Sequence, residues 1–221
     1  VCGPSITVRG RWRVDSVSHV ISDGPHNKLL ARSLSGLETA MSKGSVPDGQ
    51  LMKRCREGDT SAFDTLYGRY RLQLFSYLNR LLPGQTAVVD DLFQETWIKV
   101  LKNVESYTDK ERFLSWAFRI AHNVAIDHIR RNSRRESVPV DERLPAPEHV
   151  PWESMDREVI KHKVAEAIEE LSVDQREVVL LRQRGVPFKE IAEIQDVSIN
   201  TVLGRMHYAV KRLQKELGEY R

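Results

Sequence analysis

The stretch VPFKEIAEIQDVSINTVLGRMHYAVKRL, Val186–Leu213, decides the fold. Two helical periods meet in it at a tight turn. Phe188, Ile191, Ala192 and Ile194 line one face of a short helix. Gln195, Asp196 and Val197 form the turn, and aspartate tolerates left-handed backbone better than most residues. Ser198 is a good N-cap for a second helix. Its expected buried side is Val202, Met206, Val210 and Leu213, at helical spacing. Small Ala192 allows close helix approach, and Val197 plugs the gap between the two helices. This is the layout of a helix-turn-helix, whose second helix enters the major groove N-terminus first.

The exposed face of that second helix suits DNA. Ser198, Asn200, Thr201 and Arg205 project from its early turns, with Lys189 on the helix before it. Arginine donates two hydrogen bonds to guanine, and asparagine pairs similarly with adenine. His207, Lys211 and Arg212 follow where phosphates are met, and charge there acts without reading sequence. A solvated amphipathic helix carries a similar charged face; the turn and the cap together weigh for DNA.

Upstream, helices resume from about Met155, and Val164, Ile168 and Leu171 line one face. Ser172 and Gln175 have the spacing of a capping box, and Pro187 suits a first helical turn. Residues 158–221 thus form a C-terminal domain. Residues 136–157 contain Pro139, Pro145, Pro147 and Pro151, which sit poorly in helix interiors, so a proline-rich interdomain linker is expected. Residues 1–47 show no sustained period and are expected to be a disordered extension, with Met41 as a candidate start.

Residues 48–135 read as an N-terminal helical domain. After Asp59 or Thr60 as N-cap, Phe63, Leu66, Tyr67, Tyr70, Leu74, Tyr77, Leu78 and Leu81 share a face until Pro83-Gly84 stops the helix. Thr86 is the expected cap of the next helix, which buries Val89, Leu92, Phe93, Thr96, Trp97 and Val100. Its polar side holds Asp90, Asp91, Gln94 and Glu95, with Ile98 one turn past Gln94. Such a face is either a docking surface, with charge for steering and Ile98 for dry contact, or a plain solvated face. A loop from Val104 to Lys110 carries Tyr107, which either stacks on a base or covers the core edge. The third helix, about Arg112 to Arg131, has an apolar side of Phe113, Trp116, Ala117, Ile120 and Val124. Arg119, Asn123, Asp127 and Arg130 form a second column, and Arg130, Arg131, Arg134 and Arg135 concentrate charge at its end. That end tracks a phosphate backbone or simply offsets the helix macrodipole. The fold class expected is all-α: two small helical domains, the C-terminal one a helix-turn-helix.

Composition excludes more than it identifies. Net charge is only +3, so any nucleic-acid binding rests on local clusters. Two cysteines, Cys2 and Cys55, are too few and too far apart for a disulfide framework or zinc cluster. No two of the seven histidines have the spacing of a helical zinc site, and no phosphate-binding glycine loop occurs. No stretch approaches the ~20 apolar residues of a membrane span. No cofactor, metal or small-molecule substrate is expected, and the protein reads as a cytoplasmic non-enzyme.

Two separated signatures carry a family resemblance. One joins Asp90, Asp91, Gln94, Glu95 and Trp97 to Phe113, Trp116, Arg119, Asn123, Asp127 and Arg130. The other joins Gly185, Glu190, Ile191 and Ala192 to Ser198, Thr201, Val202 and Arg205. Together they resemble the extracytoplasmic-function group of bacterial sigma factors, over about residues 48–221. Asp196 stands where the family usually has glycine, and Leu203 and Gly204 replace an often basic and a small polar residue. The resemblance implies that Asp90, Asp91, Gln94, Glu95 and Ile98 grip core RNA polymerase. It implies that Tyr107, Lys110, Arg119, Asn123, Arg130, Arg131 and Arg134 hold the melted -10 strand of promoter DNA. It implies that Lys189, Ser198, Asn200, Thr201, Arg205, His207, Lys211 and Arg212 contact the -35 duplex, and it admits an anti-sigma partner. The alternative is a helix-turn-helix regulator that binds duplex DNA without joining polymerase, which leaves the acidic second helix and the basic third helix unexplained.

Overall fold

The computed structural model describes residues 46–108, 112–133 and 157–218, and every regular element among them is helical. The N-terminal bundle holds α1 (Asp48–Arg56), α2 (Thr60–Leu81), α3 (Thr86–Lys102), a 3₁₀ turn (Val104–Ser106) and α4 (Phe113–Ser133). The C-terminal bundle holds α5 (Arg157–Glu169), α6 (Val173–Gln183), α7 (Phe188–Ile194) and α8 (Ile199–Gly218). The fold is therefore the all-α, two-part architecture that the periodicities predict. Residues 1–45 of the expected extension, Met41 among them, nearly all of the linker, Lys110, Arg134 and Arg135 lie outside the described residues.

The N-terminal core forms because α2, α3 and α4 each turn an apolar face inward. Trp97 is fully buried, and its ring meets Phe63 edge-on at 5.7 Å and Tyr67 at 5.0 Å. Such pairs add about 0.5–1.5 kcal/mol each beyond the area they bury. Phe118, Ala121 and Ala125 on α4 are also buried, although α4's expected face did not include them. α4 is covered on more than one side: it packs on α2 and α3, and α7 of the other bundle lies against it.

Helix ends separate the capping expectations. Asp59 caps α2, accepting from the backbone N–H of Ser61 at 2.9 Å and of Ala62 at 3.3 Å. Thr86 is not a cap: α3 begins at Thr86 itself, Gln85 precedes it, and no side chain bonds the first turn. Ser172 occupies the N-cap of α6, but the capping box with Gln175 is absent. There the anchoring comes from Arg176 one turn on. Its Nε donates to Ile168 O at 3.3 Å, and its Nη2 to Leu171 O at 3.0 Å and to Glu169 O. Arg176 thus binds the carbonyls at the end of α5, a place that favours a cation. Its Nη1 also reaches Leu81 O at 2.8 Å, across the domain boundary.

Hydrogen bonds from Ser61 first, then Arg54, hold the Asp59 carboxyl down to about 2. A depressed folded-state pKa stabilises above the unfolded value of about 4 and loses that stabilisation as pH falls through the folded one. Asp59→Ala is therefore expected to lower Tm at pH 7. The gap from the parent protein should shrink between about pH 4 and pH 2. Melting curves by circular dichroism check this; a gap that stays constant with pH contradicts it.

The two bundles pack on each other, α6 against α2 and α7 against α4. Glu177 on α6, 0% exposed, lies at the centre of the join. It accepts from the Tyr77 hydroxyl and from Gln195 Nε2 at 2.7 Å, and His122 Nδ1 lies 2.8 Å from it. Burial, then the Glu177 charge, push the Tyr77 phenol well above its ordinary range. At the rim, Arg184 donates to Ser76 Oγ at 3.0 Å and Arg80 to Gln183 Oε1 at 3.2 Å.

Candidate nucleic-acid interface

The turn between α7 and α8 forms for the reason the sequence suggests. Asp196 adopts φ +50, the left-handed conformation. Val197 N–H closes onto Ala192 O at 3.0 Å, and Val197 packs against the core. Ser198 Oγ accepts from Thr201 N at 3.1 Å, capping α8. Pro187 sits at the N-cap of α7 rather than in its first turn.

The buried side of α8 differs from expectation at one position. Val202 is fully buried, and Met206 and Leu213 pack against the core. Val210 is 37% exposed, and fully buried Ala209 takes its place. At 100° per residue, position 209 returns to within about 20° of 202, whereas 210 lies about 80° away. Ser198, Asn200, Thr201, His207, Lys211 and Arg212 are all exposed on the outer side, and Lys189 is exposed on α7.

Arg205 behaves otherwise. Its Nη1 donates to Gln195 Oε1 at 2.7 Å and its Nη2 to Asp174 Oδ2 at 2.5 Å. Its side chain is 23% exposed and turned toward α6. In this structure Arg205 ties the recognition helix to its own domain. The sequence signal for that partner was weak, because Asp174 lies 31 residues upstream.

On α4, Asn123, Arg130 and Arg131 are exposed. Arg119 is paired instead with Glu193 of α7 at 3.2 Å. Next to it, Ser115 donates to Glu190, and Arg112 lies 3.7 Å from the same carboxylate. Tyr107 as an exposed stacking platform needs correction, because its ring is 4% exposed. It meets Trp116 at 5.3 Å and Phe113 at 6.3 Å, and Arg56 holds the backbone of its loop through Val104 O and Tyr107 O. Covering the core edge keeps this large ring out of water, which a free loop tip cannot do. On α3, Asp90, Asp91 and Gln94 are exposed, while Glu95 and Ile98 are half-buried. Glu95 pairs with Lys99 at 3.0 Å, and water still reaches both side chains, so the pair is of small energetic value.

No group of three or more His, Cys, Asp or Glu residues suited to a metal occurs among the described residues. No helix among them is long and apolar enough to cross a membrane. The Cys55 thiol is buried, and burial first of all pushes it up to about 12, far from a reactive thiolate.

The fold and this surface define a helix-turn-helix DNA-binding protein with a second helical domain. Residues 66–135 match the Sigma-70 region 2 family and residues 161–213 the Sigma-70 region 4 family. RNA polymerase sigma factor CarQ of Myxococcus xanthus is 29% identical over 169 residues, 76% of this chain and 96% of that protein. The ECF RNA polymerase sigma-E factor of Haemophilus influenzae is 27% identical over 186 residues, 78% of this chain and 96% of its own. Among solved structures, the sigma factor RpoE of Bartonella quintana, bound to the anti-sigma factor NepR, superposes with TM-score 0.57 at 24% identity. It covers 72% of this chain and 98% of its own. CnrH, in complex with the cytosolic domain of CnrY, superposes with TM-score 0.56 at 23% identity, covering 77% and 97%. The chain belongs to the extracytoplasmic-function group of the sigma-70 family.

Proposed function

We propose that this chain directs core RNA polymerase to promoters and performs no chemistry itself. α8 binds the upstream -35 duplex through Asn200, Thr201, His207, Lys211 and Arg212, and α3 docks on polymerase through Asp90, Asp91 and Gln94. α4 contacts the melted -10 strand through Asn123, Arg130 and Arg131, with Arg119 joining once it leaves Glu193. Polymerase and promoter place the protein in the cytoplasm. A partner of the anti-sigma type fits this reading, since the RpoE structure of similar fold is bound to an anti-sigma factor. The observation that carries the proposal is one chain presenting two separate surfaces on two domains. One is a capped recognition helix with its outer face open; the other is an exposed acidic face on α3. A regulator that only binds duplex DNA has no use for the second.

Run-off transcription with core polymerase and a promoter library tests it. Promoter-specific transcripts are expected only when the protein is present. Duplex binding without transcripts would favour the plain regulator. Asp91→Lys is expected to weaken association with core polymerase about tenfold or more while leaving the helical spectrum unchanged, because a like charge replaces an attractive one at the docking face. A pull-down titration measures the change, and unchanged affinity removes Asp91 from the surface.

A further inference from the structure

We propose that α8 reads thymine methyl groups in the major groove through Ile199 and Leu203. This deepens the duplex-binding reading above and rests on it. Both side chains are large, apolar and open to water, Ile199 at 46% and Leu203 at 45% exposed, although they lie on a helix with a well-formed buried side. They stand one turn apart, in the first turns beyond the Ser198 cap, which is the part of a recognition helix that meets base edges. Asn200 lies beside them, exposed, and the cations Lys211, Arg212 and Lys189 flank the helix for phosphates. An apolar side chain in that position gains from a thymine C5-methyl and from nothing else on a base edge. Asparagine pairs with the adenine of the same kind of base pair.

Two further observations point the same way. Arg205, the one guanidinium in the first turns of α8, is drawn to Gln195 and Asp174. Both partners belong to its own domain, so parting the domains leaves the pairing in place. Guanine readout by Arg205 would first break an ion pair. Gly204 sits between Leu203 and Arg205, and a Cβ added there meets nothing within 4 Å. Gly204 thus leaves the helix surface beside Leu203 open to close approach by a base edge. The occupant is thus a duplex containing A·T pairs at the upstream element.

The test uses the full chain with core polymerase on the promoter selected by run-off transcription. Each upstream thymine is replaced in turn by deoxyuridine, which removes only the methyl group. Loss of about three- to fivefold in affinity is expected at one or two positions, the worth of one buried methyl. Leu203→Ala should lose a similar factor on thymine DNA and become indifferent to uracil at one of those positions. Leu203 is exposed, so this variant keeps its fold. Equal affinity for uracil and thymine at every position, or a selected element without A·T pairs, overturns the methyl reading while leaving the initiation factor intact. Absence of any selected promoter overturns both.

Discussion

Replacing Arg176 with methionine is expected to cost about 3–5 kcal/mol of stability. The side chain is 8% exposed, and its guanidinium serves four carbonyls: Ile168, Glu169 and Leu171 at the end of α5, and Leu81 at the end of α2. Methionine fills the space and donates nothing. Each buried acceptor left without a donor costs about 1–3 kcal/mol, less where water enters. Lysine is expected to recover only part of the loss, since one ammonium cannot match a planar fork aimed at separate helix ends. Urea unfolding followed by far-UV circular dichroism measures the effect. A loss under about 1 kcal/mol would mean that water replaces the guanidinium at little cost.

Glu177→Ala is expected to part the two domains. It strips the Tyr77 hydroxyl of its acceptor and His122 of its neighbour at the join between α6 and the N-terminal bundle, and leaves Gln195 Nε2 with Asp174 O alone. Leaving the buried Tyr77 hydroxyl unpaired costs about 1–3 kcal/mol. Glu177→Gln keeps one acceptor oxygen and should act more weakly. Small-angle scattering reads the outcome as a larger radius of gyration for the alanine variant at unchanged helix content. An unchanged radius would show that α2–α6 and α4–α7 packing holds the domains without the carboxylate. Opening also separates Arg119 from Glu193 and Ser115 from Glu190, which lets Arg119 join the already exposed Asn123, Arg130 and Arg131.

These two residues mark where sequence reading stops. The helix faces were legible because burial in a helix repeats every three or four residues: Val89, Leu92, Phe93, Thr96, Trp97 and Val100 are all buried as their spacing predicts. The helix-turn-helix was legible because its turn demands particular chemistry at Asp196 and Ser198, and both behave accordingly. Val210 and Ala209 were exchanged because small drifts in helical phase accumulate over two turns, and an alanine gives little apolar signal. Thr86 failed because the helix starts on it rather than after it, and Ser172 shows that a good capping residue in the right place still needs its side chain aimed at the first-turn amides.

Sequence alone determined the all-helical architecture, the two domains and the recognition helix, since each follows from local spacing and local turn chemistry. Tertiary structure alone decided that the domains close on Glu177, that Arg176 binds two helix ends, and that Arg205 and Arg119 face protein partners. Those contacts join residues from 5 to 100 positions apart. A charged side chain carries no mark in its own neighbourhood of whether its partner will be water, DNA or a carboxylate brought from another helix.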